Sequence, residues 1–178
     1  MRVTISGPPG SGKTTVARMV AEALDLDLIL TGQVFREQAK KAKMDVHRYN
    51  HLAEQDRSID QKLDDEVIRL AMLSKDVLVE GRLAGHLFDK RGIPAFKVCV
   101  TAPATVRAER IAGRERTTPD KEMEKQTKRE LSEKSRYMSF YGIDIEDMSV
   151  YDLVVDSGDI SANEAAEIVV AEIRKMQR

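Results

Sequence analysis

Gly7, Gly12, Lys13 and Thr14 fall in the spacing G-x-x-x-x-G-K-[ST] within "GPPGSGKTT", residues 7–15. Glycines at these places leave backbone N–H groups free to converge on an anion. The lysine can reach the β- and γ-phosphates of a nucleoside triphosphate, and the hydroxyl after it can ligate Mg²⁺. The stretch Gly7, Pro8, Pro9, Gly10, Ser11, Gly12, Lys13, Thr14 and Thr15 is therefore expected to cradle phosphates, with Thr15 toward the α-phosphate. A following helix would add the partial positive charge of its N-terminus.

Transfer of a phosphoryl group also needs cations around it. Arg36 follows Gly32 by four residues in "TGQVFREQA", and Arg82 follows Glu80 and Gly81. Arg110 and Arg114 lie in "RIAGR", and Arg129 and Arg136 are seven apart. Seven residues make two helical turns, so the last pair shares a face. Each arginine alone could be a solvated charge, but their chain positions allow all of them to meet at one cleft. No N-K-x-D segment for reading guanine is present. A small kinase fits this set better than a nucleotide-dependent switch, which needs no arginines for an acceptor.

The elements that would position these residues alternate. "RVTIS" (2–6), "DLILT" (27–31), "DVLVE" (76–80), "FKVCV" (96–100) and "YDLVVD" (151–156) read as short apolar strands. From Lys13, the residues Val16, Met19, Val20, Ala23 and Leu24 recur at helical spacing. Ser161 and Glu164 form a capping box before the stripe Ala165, Ile168, Val169, Ile173 and Met176. Strand–helix alternation predicts an α/β fold, with a parallel sheet covered by helices on both faces. The third strand would deliver Arg82 to the carboxyl end of the sheet, where ligands gather in such folds. Residues 32–74 and 113–141 are mostly polar or helical and look like insertions on that core.

The chain has 178 residues, with Lys+Arg 29 against Asp+Glu 30. One domain with a sizeable core is expected, and the charge balance favours no particular partner. A single cysteine, Cys99, allows no intrachain disulfide and suits a reducing compartment. A strand opening at Arg2 leaves no room for a signal peptide, and no apolar run approaches about 20 residues. A cytoplasmic monomer without nucleic-acid or membrane partners is expected.

Taken in order, "GPPGSGKTT", "TGQVFREQA", "VLVEGRLAGHL", "RIAGRER" and "RYMSFYGIDIED" resemble the nucleoside monophosphate kinases, most closely the archaeal type of cytidylate kinase. The resemblance covers nearly the whole chain, and "EGRLAG" and "YGIDIED" are its most specific segments. It implies a five-stranded parallel sheet (residues 1–31, 76–112 and 142–178), a monophosphate-binding insertion (32–75) and a lid (113–141). It implies transfer of the γ-phosphoryl of ATP to CMP or dCMP with Mg²⁺. Residues 7–15 match the ATP loop, Arg36 and Arg82 the acceptor-phosphate arginines, and Arg110 with Arg114 the lid base. Arg129 and Arg136 match the lid arginines, and Glu80 the acid that orders Mg²⁺-bound water. Bacterial relatives carry an aspartate directly after the arginine of "GRD", where this chain has Leu83. Their way of reading base and ribose therefore does not transfer. Other acceptors (AMP, UMP, shikimate or a coenzyme A precursor) stay open at this point.

A carboxylate could read cytosine by accepting from its exocyclic amine and repelling the carbonyl of uracil. Asp60 and Asp64, one turn apart in "SIDQKLDDE", are the candidates. The competing reading makes Asp60 the N-cap of its helix and Asp64 a solvated residue. His47 and His51 have a metal-like spacing but no further ligand nearby, so surface histidines are expected. Cys99 reads as core. The charged run 107–136 reads as a solvated lid helix starting at Thr118, Pro119 and Asp120.

Overall fold

The computed structural model describes residues 1–177, His47 through its backbone alone. Five strands form one parallel sheet in the order β2-β3-β1-β4-β5. They are β1 (Arg2–Ser6), β2 (Asp27–Leu30), β3 (Val77–Glu80), β4 (Phe96–Thr101) and β5 (Leu153–Asp156). Arg2 pairs with Val77 and Val3 with Phe96, so β1 is central. All five expected strands are present, with ends shifted by a residue or two. Thr31 opens a helix instead of closing β2. Tyr151 stays outside β5: its N–H donates to the Met148 carbonyl in a turn at 3.2 Å, and its ring packs edge-on against His86, with centroids 5.2 Å apart.

Side chains alternate across the sheet as the pleat requires. Val3, Ile5, Leu78, Val98 and Val100 face α1 (Lys13–Leu24) and α8 (Ala162–Met176), meeting Val16, Val20, Val169 and Ile173. Val77 and Val79 face the other way, onto α2 (Thr31–Lys41), α4 (Arg57–Leu73) and α5 (Ala84–Lys90), where Phe88 is fully buried. The capping box of Ser161 and Glu164 starts α8 as the sequence indicates. Between α2 and α4 lies α3 (Val46–Gln55), held by a small cluster of Ala39, Tyr49, Ala53 and Ile59. Helices α6 (Ala104–Glu115) and α7 (Pro119–Tyr141) follow β4.

Two local expectations are corrected, and α7 starts where the sequence places it. Asp56, not Asp60, caps α4, and its carboxylate accepts from the Ser58 N–H at 2.9 Å. Thr118 stands at the N-cap of α7 with Pro119 first in the helix, but its hydroxyl makes no capping bond. The run 107–136 is two helices and is not simply solvated: Arg107, Glu122, Gln126 and Glu133 are buried. On α7, Gln126 meets Arg107 of α6 and Glu133 meets Arg82 from the end of β3, while Glu122 pairs with Lys125 of the same helix. Cys99 is buried as expected, and burial pushes its thiol up to about 11. His51 is exposed, and no cluster of three or more metal-ligating side chains exists among the described residues. No described helix is long and apolar enough to cross a membrane.

Candidate active site at the carboxyl ends of β1 and β3

The connections leaving β1 and β3 run in opposite directions across the sheet, to β2 and to β4, on opposite faces, α1 on one and α5 on the other. A crevice opens at such a point, and the phosphate-loop motif lies there. Gly7 takes φ 151°, and a Cβ on it would stand 2.1 Å from the Val100 carbonyl oxygen. Gly7→Ala is therefore expected to cost about 1–3 kcal/mol of stability through overpacking, and to weaken ATP binding. Denaturant titrations with and without ATP check this. An unchanged midpoint in both would show that the junction tolerates a side chain.

The loop's carbonyls are taken up from behind. Arg107 donates to the Pro9 oxygen at 3.3 Å, Arg110 to the Gly10 oxygen at 3.5 Å, and the Ser157 hydroxyl to the Ser11 oxygen at 2.8 Å. Arg110 also donates to the Ser157 carbonyl at 2.6 Å. Ser11 and Thr15 donate their amides within the loop, to Pro8 and Gly12, and the amides of Gly10, Gly12, Lys13 and Thr14 are left for a ligand. Gly12 lies in the left-handed region at φ 83° and Lys13 begins α1, so the first amides of that helix also face the loop.

Lys13 Nζ sits 3.8 Å from Glu80 Oε1 at the end of β3. Burial lowers the pKa of Lys13 and Glu80 opposes this, while Arg82 and Arg129 add to the lowering. Burial likewise raises the Glu80 carboxyl, against Lys13 and a hydrogen bond from Thr14. Thr14 and Glu80 thus place a hydroxyl and a carboxylate side by side. That is the hard oxygen donor set that Mg²⁺ takes alongside phosphate and water, so these residues fit the ion that such a loop implies.

Gly81 lets β3 end close against α2, since a Cβ there would lie 2.4 Å from the Thr31 hydroxyl. This sets Arg82 in the crevice, where its Nε donates to Glu133 Oε2 at 2.8 Å. Arg129 Nε donates to the other oxygen of the same carboxylate at 2.7 Å. Burial alone would raise the Glu133 carboxyl, but Arg129 and Arg82 hold it below its ordinary value. Four of the expected site residues, Lys13, Glu80, Arg82 and Arg129, therefore share one electrostatic neighbourhood. Arg36 is exposed near Gly32 and also lowers the Glu80 carboxyl, though less than Lys13 does.

Arg136 has a different partner from Arg129. Its Nε lies 3.6 Å from Asp60 Oδ2, an ion pair without a hydrogen bond, and its guanidinium sits over the Tyr137 ring. Asp64, also buried, accepts from the Tyr141 hydroxyl at 2.6 Å. Arg114 is exposed and pairs with its neighbour Glu115 at 2.9 Å. Leu83 packs with Tyr137 and Ile143 in an apolar cluster, so the place of the bacterial aspartate is closed to polar contact.

The cytidylate kinase-like family matches residues 2–159. The chain belongs to that family. A cytidylate kinase of Methanocaldococcus jannaschii is 40% identical over 100% of both chains, and one of Archaeoglobus fulgidus is 41% identical over 99% of this chain and 98% of the relative. A shikimate kinase structure from Bacteroides thetaiotaomicron superposes with a TM-score of 0.66 at 13% identity, covering 99% of this chain and 98% of that one. The last likeness shows the fold. Within this family member, four residues that sequence reasoning did not single out complete the crevice: Arg107, Glu133, Tyr141 and Ser157. Glu133 and Arg107 sat in a run whose charges looked solvated. Tyr141 was visible only as part of a family segment, and Ser157 carried no signal.

Proposed function

We propose that the protein transfers the γ-phosphoryl group of ATP to CMP and dCMP. The family and its curated relatives named cytidylate kinase support the reaction class. The observation that carries the reading in this structure is the gathering of Lys13, Arg82 and Arg129 at the phosphate loop. Phosphoryl transfer passes through a loose transition state, for which a protein supplies mainly position and positive charge. Lys13 and the loop amides hold the triphosphate. Arg82 and Arg36 take the acceptor phosphate, and Arg129 turns from Glu133 to the transferring group. Thr14 would hold Mg²⁺ and Glu80 would order its water, and the ion would supply charge neutralisation to the phosphates. No general base is needed, because the acceptor phosphate is already an anion. Docking of α7 excludes water from the crevice.

An acceptor panel with ATP, followed by ADP release, tests this. CMP and dCMP are expected to give kcat/KM values well above those of UMP, AMP and shikimate. A faster reaction with any of those three, or ADP release independent of acceptor, would overturn the assignment.

A further inference from the structure

The inward face of α7 carries a row of polar residues: Arg129 and Glu133 near Lys13, then Arg136 over Tyr137, then Tyr141. The first end serves phosphates. At the other end the row meets α4, where two buried carboxylates, Asp60 and Asp64, face it. They are not equivalent. Asp60 stands against the Arg136 guanidinium, so its charge already has a counter-ion. Asp64 accepts from a neutral phenol on Oδ2 and forms no ion pair among the described residues, which leaves Oδ1 for a ligand. A single carboxylate oxygen held in place is what recognition of an exocyclic amine needs.

We propose that Tyr141 is a positioning residue for base recognition: its hydroxyl, delivered by the end of α7, holds Asp64 as the acceptor for the exocyclic amine of the pyrimidine. This rests on the reading of the protein as a cytidylate-phosphorylating enzyme. It joins base reading to lid docking. Withdrawal of α7 would take the Tyr141 hydroxyl from Asp64 and the Arg136 guanidinium from Asp60 together, so the base pocket is complete only over a docked lid.

The groups around Asp64 come from three elements. Asp60 and Asp65 lie on α4 itself. The end of α5 brings Arg91, which donates to Asp65 Oδ1 at 2.6 Å, and Lys90, which donates to the Tyr141 carbonyl. From α7 come Tyr141, Tyr137 and Arg136. Burial is the largest influence on the Asp64 carboxyl and pushes it up to about 6; the Tyr141 hydroxyl acts against this, Asp60 adds to it, and Arg91 and Asp65 follow. Above that value Asp64 accepts from cytosine. Below it, the carboxylic acid donates a proton in hydrogen bonding and suits the carbonyl of uracil.

The test is the ratio of kcat/KM for CMP to kcat/KM for UMP, measured across roughly pH 5 to 8. The acceptor phosphate titrates alike in both substrates, so it cancels in the ratio. In the native protein the ratio is expected to fall as pH drops through about 6. Asp64→Asn should lower the ratio by roughly 5- to 150-fold and flatten its pH dependence, the range of one base contact. Tyr141→Phe keeps the ring and loses only the donor to the ionised carboxylate. It should lower the ratio several-fold at neutral pH and move the midpoint up by about one unit. 3-Fluorotyrosine placed at position 141, a stronger donor in the same volume, should move the midpoint down, and this arm needs no change of packing. If Asp64→Asn alters the ratio but neither change at Tyr141 moves the midpoint, Tyr141 only packs and the proposal falls while Asp64 remains the reader. If Asp64→Asn leaves the ratio unchanged in an enzyme that still phosphorylates CMP, base reading lies elsewhere and the proposal falls with it. An enzyme that prefers another acceptor in the panel fails the functional reading first.

Discussion

Lys13→Ala is expected to lower kcat/KM for ATP-dependent turnover by about 10²–10³-fold or more, the cost of removing one preorganised charge from a transition state. The lysine begins α1 at the phosphate loop, and its polar partners among the described residues are the Pro8 carbonyl, at 3.4 Å, and Glu80, at 3.8 Å. Its loss leaves the core clusters whole. It does leave Glu80, 5% exposed, without its strongest counter-charge. The sign of the stability effect follows. Burial already raises the Glu80 carboxyl in the folded protein, so its ionised form opposes folding. That cost is absent below the unfolded value of 4.5 and grows as pH rises through the folded one. Removing Lys13 raises the folded value further. The variant should therefore lose more stability, relative to the native protein, at about pH 8 than at about pH 5. Steady-state kinetics with ATP and CMP, and denaturant melts at the two pH values, check both halves. Native kcat in the variant would sink the assignment of the loop.

Arg129→Ala should lower kcat by about 10³–10⁵-fold, the span seen when an arginine that caps a transferring phosphoryl is lost. The change in KM for ATP should be modest, since the loop and Lys13 hold the ground state. Arg129 is largely exposed and among the described residues it pairs with Glu133, so folding should be little affected. Arg136→Ala should also lower kcat, but with a rise in KM for CMP, because Arg136 faces Asp60 beside the proposed base site. A variant of Arg129 that raised only KM for ATP would reassign it to ground-state binding.

The strands were legible because short β-branched runs between helical patterns have few other readings, and parallel pairing buries both faces. The phosphate loop was legible because its chemistry is local: nine consecutive residues carry it. Glu133 shows where that legibility stops. In the sequence it is one acid among many on a charged helix, with Arg129 four residues away. Its burial follows from Arg82, 51 residues earlier in the chain, which only the folded sheet brings to it. Arg107 is hidden in the same way, since its guanidinium reaches Pro9 on one side and Gln126 and Glu130 on α7 on the other. Asp60 reads equally as a cap or as a buried acid in the sequence, because the two look alike one turn into a helix. Asp56 had the better cap position, directly before Arg57.

The pairing order of the sheet bears on how the chain is made. β1 emerges first, yet both of its neighbours come from far downstream: Val77–Glu80 on one side and Phe96–Thr101 on the other. Sheet formation therefore waits on long loop closures, which slow folding in topologies dominated by distant contacts. During synthesis the VTIS segment stands with two open edges. It is short, and Arg2 beside it supplies a charge of the kind that guards such segments against mispairing. α8 emerges after every strand it covers, so Val3, Ile5, Val16 and Val20 stay half-covered until Val169 and Ile173 arrive. A ribosome stalled before α8 would present a finished phosphate loop on a sheet still half open on the face that α1 shares with α8.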